Sequence, residues 1–160
     1  MIPRYRVELV RESGVTYEDM PVCRNTQSAA DLMADYFSLL DREHMAVMML
    51  DEKKRVIGIS TVAVGALNRC YATPSEIFKV AVVANATSII LGHNHPSGDC
   101  EPSEDDVNYT RCVFGAGALL GIPLLDHLIF GEIGWARCWP DDLSEDMEIC
   151  IQITPNDLSE

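Results

Sequence analysis

No apolar run in this chain reaches the roughly 20 residues that a membrane-spanning helix needs. The opening residues, Met1-Ile2-Pro3-Arg4-Tyr5-Arg6, lack the apolar core of a signal peptide, so a cytoplasmic address is expected. Cations are scarce: 12 Lys and Arg face 25 Asp and Glu, for a net charge of -13. Grip on a nucleic-acid backbone comes from Lys and Arg neutralising phosphates. The balance therefore argues against a module that binds DNA or RNA directly. No two of the six cysteines, at 23, 70, 100, 112, 138 and 150, are spaced C-x-x-C. That removes zinc knuckles and thioredoxin-type motifs, and without an export signal reduced thiols are expected rather than a disulfide framework. Internal repeats and low-complexity tracts are absent as well.

What is present is a globular composition. At 160 residues and 48% hydrophobic, the chain is long enough for one domain with a real core. Residues 1–139 are read as that domain. From Pro140 onward there are seven acidic residues and no basic one. This acidic tail, 140–160, holds an Ile149–Ile153 run that is read either as an added strand or as a mobile extension.

Taken in order, residues 4–11 alternate as a strand does. Gly14 and the acidic pair at 18–19 mark a turn or a short hairpin. Ala29, Leu32, Met33, Tyr36, Phe37 and Leu40 recur at helical spacing, with Thr26 or Ser28 as N-cap. A polar break, Asp41-Arg42-Glu43-His44, ends that helix. Met45 to Leu50 is continuously apolar, as in a fully buried strand, and pairs as a hairpin with the β-branched stretch 55–64. A loop over 65–73 leads to Pro74-Ser75-Glu76, a helix start with Pro in the first turn and an acid at the positive end of the dipole. Asn85 and Thr87 close that helix.

Ser88 to Leu91 is a short central strand. A further helix runs from Ser103 to about Leu120, with Gly115 and Gly117 marking close packing and Gly121 ending it. Leu124 to Phe130 is a strand interrupted at Asp126-His127. Residues 131–139 turn and add an edge strand. The order β-α-ββ-α-β-α-β describes an α/β sandwich with a mixed sheet between helices.

The chemistry concentrates in residues 90–106. His93 and His95 are two apart at the end of a strand, so both imidazoles point to one side, with Cα atoms about 7 Å apart. Both rings can then reach one ion at about 2 Å. Pro96, Gly98 and Pro102 turn the chain back. With ten residues between it and His95, Asp106 stands one helical turn beyond Ser103. Two imidazoles and one carboxylate leave the fourth tetrahedral position to water. Ser103-x-x-Asp106 is equally a capping box, and that alternative stays open. Asp99, Glu104 and Asp105 are read as solvated loop and first-turn acids. Cys100 is either a plain loop thiol or a group with a redox or ligand role.

The pattern His93-x-His95-Pro96, then Ser103-x-x-Asp106, resembles the JAMM (MPN+) metalloprotease signature. Four further stretches look like the RadC branch of that family. They are His95-Pro96-Ser97-Gly98-Asp99 with Pro102-Ser103, Arg42-Glu43-His44, Pro74-x-Glu76-Ile77-Phe78-Lys79 and Leu124-Leu125-Asp126-His127. The resemblance spans about residues 4–137. Typical RadC proteins carry an N-terminal helix-hairpin-helix DNA-binding segment; this chain has no room for one and looks like the short, stand-alone form. It departs from the pattern at Thr73, where RadC-like proteins often have His.

The resemblance implies a JAB/MPN fold of cytidine-deaminase-like architecture. It also implies one Zn2+ held by His93, His95 and Asp106, and Glu43 as general acid/base. Ser103 is the implied donor to the oxyanion. Without the resemblance, Glu43 reads as a solvated residue at a helix end, and Glu76 is its rival. His127 either orients a metal ligand or is a buried structural histidine.

Two functions follow as expectations. One is a zinc metallopeptidase or isopeptidase acting on a peptide or protein substrate through a metal-activated water. The other is a non-proteolytic metal-binding module working through protein partners in DNA repair, replication or mobile-element biology. A zinc nuclease is a third reading, weakened by the shortage of cations to hold phosphate.

Overall fold

In the computed structural model, residues 2–4, 6, 10, 20–38, 40–65 and 72–143 are described. Most of the strand expected over 4–11 and the Ile149–Ile153 run lie outside them. Among the described residues, three helices and five strands follow one another as α1 (Thr26–Phe37), β1 (His44–Leu50), β2 (Val56–Val64), α2 (Pro74–Val83), β3 (Ser88–Asn94), α3 (Glu104–Leu120), β4 (Leu124–Phe130) and β5 (Trp135–Arg137). The sheet order is β2-β1-β3-β4-β5. β1 pairs antiparallel with both β2 and β3, while β3 and β4 run parallel, so the sheet is mixed as expected. This is an α/β fold of the JAB/MPN kind.

Why the sheet is sandwiched can be read from side-chain alternation. Along β1, Met45, Val47 and Met49 join Ile89 and Leu91 of β3 in one apolar cluster with α2 residues Ile77, Phe78 and Ala81 and Val113 of α3. The intervening Ala46, Met48 and Leu50 join Ile90 in a second cluster under α1, with Ala29, Ala30, Met33 and Phe37. Both faces of β1 and β3 are thus covered, which is why their sequences are apolar without alternation.

Several boundaries differ from the expectations. The first helix is capped by Asn25, whose side chain accepts from the Ser28 N–H while Ser28 bonds back. Asn25 rather than Thr26 or Ser28 is therefore the N-cap, because Ser28 is needed at the third helical position of the capping box. That helix ends at Phe37, so Glu43 is not at a helix end but just ahead of β1. β3 continues through His93 and Asn94, three residues beyond Leu91. β4 runs unbroken through Asp126-His127, because both polar side chains find partners on opposite faces.

The expected starts of α2 and α3 and the edge strand β5 are present. Gly121 ends α3 in the left-handed conformation, at φ 68°. Of the two helix glycines, Gly117 answers to close packing, since a Cβ there would come within 2.7 Å of the Ile122 carbonyl oxygen, while Gly115 faces open space.

Candidate metal centre

The site lies at the C-terminal end of β3. His93 is in the strand and fully buried; His95 follows it and is half-buried. Because the two side chains share a face, their Nε2 atoms come within 3.0 Å of each other. After the turn at Pro96–Pro102, α3 begins, and its first turn carries three consecutive acids. Helical register buries only Asp106, to 4% exposure, while Glu104 and Asp105 face outward. Asp106 Oδ1 lies 3.3 Å from His93 Nε2, and Oδ2 lies 3.6 Å from His95 Nε2. One ligand atom from each of His93, His95 and Asp106 can be chosen so that all three lie within 4.8 Å of one another.

The capping box and the acidic ligand turn out to be compatible. Ser103 donates from N–H and from Oγ–H to Asp106 Oδ2, at 2.8 and 2.5 Å, and its Oγ accepts the Asp106 N–H. Oδ1 stays turned toward His93. Burial works to raise the Asp106 carboxyl, yet hydrogen bonds from His93, His95 and Ser103 outweigh it and hold the group far below the usual carboxylate range. The expected oxyanion donor, Ser103, thus has its hydroxyl proton on Asp106 in this structure.

Proton positions on the three histidines follow from groups that can only accept. Thr110 Oγ–H donates to the Asp106 backbone carbonyl at 2.7 Å, one turn back along α3. Its hydroxyl has no second proton, so at 2.7 Å from His127 Nδ1 it must accept, and His127 carries its proton on Nδ1. Burial lowers the His127 pKa well below its ordinary value, so the ring is neutral and Nε2 is bare. That nitrogen sits 2.9 Å from His93 Nδ1, which must therefore be the donor. His95 Nδ1 likewise donates to the Asp99 carbonyl at 2.8 Å. Nε2 of each ligand histidine is thus the atom that faces Asp106, donating to the carboxylate when protonated and offering its lone pair to a cation when bare. The hydrogen bond that His95 donates to the Asp106 carboxylate pushes the His95 pKa up, so a proton on its Nε2 is held there by the same carboxylate that would hold a cation. The donor set fits a divalent metal with imidazole and carboxylate ligands.

Glu43 enters from β1. Met45 pairs with His93 across the antiparallel ladder, so Glu43, two residues earlier, belongs to the face that bears His93 and His95. It is half-buried, and burial raises its carboxyl above the ordinary value, with His93 and His95 pulling it down and Asp106 pushing it up. The rival Glu76 is committed elsewhere. Its carboxylate accepts the Thr73 N–H at 2.6 Å and the Thr73 hydroxyl at 2.9 Å, closing the cap of α2 on the surface.

Two polar residues escaped the sequence reading. Thr110 is fully buried behind His127, and its position four residues after Asp106 was the available signal. Asn94, between the two ligand histidines, is 5% exposed and points to the opposite face. Its signal was the alternation of the strand itself. Buried Cys138 adds a thiol 3.3 Å from Thr110 Oγ.

Comparison with known proteins gives concordant matches. A family profile described as the RadC-like JAB domain matches residues 23–137. A UPF0758 protein of Moorella thermoacetica is 44% identical over 126 residues, covering 79% of this chain and 55% of that protein. One from Desulfitobacterium hafniense is 46% identical over 112 residues, 70% of this chain and 49% of the relative. Another, from Rubrobacter xylanophilus, is 41% identical over 127 residues, 79% and 56% of the two chains. The chain thus spans about half the length of the curated relatives it matches. The profile covers both histidines, Asp106, Glu43 and the whole sheet that brings them together, and the chain belongs to the RadC-like JAB domain family.

Proposed function

We propose that this chain is a zinc-dependent hydrolase of peptide or isopeptide bonds. The observation that carries the reading is the convergence of two imidazole Nε2 atoms and the Asp106 carboxylate beside a carboxyl, Glu43, whose affinity for protons is raised by burial. His93, His95 and Asp106 would hold the ion. Zinc, when bound, supplies Lewis-acid chemistry, acidifying water toward about neutral pH and polarising a carbonyl.

The residues of the chain do the rest. Glu43 takes a proton from the attacking water and returns it to the leaving amine, which calls for a carboxyl whose pKa lies closer to neutrality than usual. Asp106 stays ionised throughout. His127 and Thr110 keep the His93 ring oriented and its proton on Nδ1. Ser103 Oγ, on turning from Asp106, is the hydroxyl available to the developing oxyanion.

The test is zinc analysis of the purified protein with a peptide and isopeptide library, comparing wild type and Glu43→Gln. The variant should keep its zinc and lose about 10²- to 10⁴-fold in turnover, the usual contribution of a general acid/base. An unchanged turnover removes Glu43 from the chemistry.

A second reading has its own support in the charge of -13. The same centre would serve a non-proteolytic module that meets protein partners, in DNA repair, replication or mobile-element complexes, rather than DNA itself. Salt-sensitive, tight DNA binding by the isolated chain would contradict that reading.

A further inference from the structure

We propose that Asn94 is the residue that positions Glu43. This rests on the hydrolase reading above, in which Glu43 is the acid/base.

Strand alternation sends His93 and His95 toward α2 and α3 and sends Asn94 the other way, toward α1. There its side-chain amide makes two hydrogen bonds. Asn94 Oδ1 accepts the His44 N–H at 2.8 Å, and Asn94 Nδ2 donates to the Arg42 carbonyl at 2.8 Å. The first bond holds the peptide plane that follows the Glu43 Cα, and the second holds the plane that precedes it. These two planes define φ and ψ of Glu43. A single planar amide grips both, so neither torsion can change without breaking a bond. The Glu43 carbonyl is held in turn by the Gly65 N–H at 2.8 Å.

Asparagine is the side chain of this length that offers one donor and one acceptor in a rigid plane. Aspartate keeps the acceptor and sets a carboxylate against the Arg42 carbonyl. Leucine keeps the shape and loses both bonds. The described residues between α1 and β1 form no helix or strand that would fix Glu43. One tripeptide, His93-Asn94-His95, therefore supplies two candidate metal ligands on one face of the sheet and the clamp for the candidate base on the other.

The experiment compares wild type, Asn94→Leu and Asn94→Asp in the full chain, each with and without Glu43→Gln. Three quantities are read: zinc affinity by chelator competition, hydrogen exchange of the His44 amide, and turnover of the zinc-loaded protein. Asn94→Leu should speed His44 exchange by at least about tenfold. It should leave zinc affinity within about threefold and cut turnover roughly 10- to 100-fold, as loss of a residue that orients a reacting group does. In the Glu43→Gln background the same change should alter residual turnover by less than about twofold, since Asn94 acts through Glu43. Asn94→Asp, which is isosteric, should keep His44 protected and still lose turnover.

Zinc affinity falling in step with turnover overturns the proposal, as does a loss that persists without Glu43. If wild type cleaves no peptide or isopeptide, the hydrolase reading fails by itself. The clamp is then decided by exchange: unchanged His44 protection in Asn94→Leu refutes it, and accelerated exchange supports it.

Discussion

Thr110→Val asks whether the interior of the protein chooses the tautomer of a metal ligand. Valine keeps the shape of threonine, so no cavity opens at this fully buried position. The Asp106 carbonyl gives up a side-chain donor at the start of α3. The His127 Nδ1–H, however, loses its acceptor at 2.7 Å at a position closed to solvent. Leaving such a donor buried and unpaired costs about 1–3 kcal/mol.

The protein has one escape. His127 can move its proton to Nε2 and donate it to His93 Nδ1, which forces the His93 proton onto Nε2. That exchanges an orphan donor for a bare acceptor, and the His93 Nε2–H finds Asp106 Oδ1 at 3.3 Å. The same shift removes the lone pair that His93 would offer a cation. Metal binding has to restore the original arrangement against that preference. The penalty of about 1–3 kcal/mol therefore appears as a loss of roughly 5- to 150-fold in zinc affinity.

Competition against a chromophoric chelator measures the affinity, and ¹⁵N shifts of the ring nitrogens in metal-free protein report the tautomers. Thr110→Ser, which keeps the hydroxyl, should stay near wild type. Zinc affinity of Thr110→Val within about twofold of wild type, with His93 still protonated on Nδ1, would refute the relay.

Three other outcomes are expected. Zinc affinity should fall with pH from a point above 6.5, the ordinary imidazole value, because the raised pKa of His95 means that protons compete for its Nε2 earlier on acidification; isothermal titration at several pH values checks this. Glu43→Gln should raise the melting temperature of metal-free protein at neutral pH. The folded-state pKa of Glu43 is raised by burial, so stability from its protonated form is present at low pH and is lost as pH rises through that pKa, and the gap between variant and wild type should close on acidification. Gly92→Ala places a Cβ 2.8 Å from both Met33 Cε and Phe37 Cε2. Phe37 is stacked on Phe130, so overpacking should cost about 1–3 kcal/mol, seen as a drop of several degrees in thermal melting.

The candidate ligands were legible in the sequence because their geometry is local. An i, i+2 pair on a strand and an i, i+3 pair on a helix fix directions without tertiary knowledge. Asp106 could be told from Glu104 and Asp105 for the same reason. Glu43 was legible only through family resemblance, since fifty residues separate it from His93 and nothing local marks it. Its neighbours misled as well: the polar break was read as a helix end, whereas Ser38 already leaves the helix with extended backbone angles. Asp126-His127 was read as an interruption because two polar residues in an apolar strand imply exposure. Here one faces Thr26 and Arg137, and the other faces Thr110 and His93, which is information about packing rather than pattern.

A strand buried on both faces poses a further problem, and the polar residues at the site bear on its solution. Where one face meets solvent, a one-residue slip exposes the apolar set, so hydrophobicity alone sets the register. β1 is buried on both sides, so a slip against β3 would exchange Met45, Val47 and Met49 for Ala46, Met48 and Leu50 at modest hydrophobic cost. The same slip would carry Glu43 to the face opposite His93. Directional bonds at the two ends of the pair resist it. At one end, Asn94 joins Arg42 and His44. At the other, the Thr87 N–H and hydroxyl reach the Leu50 carbonyl at 2.9 and 3.3 Å. Asn94 thus bears on two scales at once, the torsions of Glu43 and the register that selects its face. That is a physical reason for a buried amide at the one position between two histidines where an apolar side chain would pack as well.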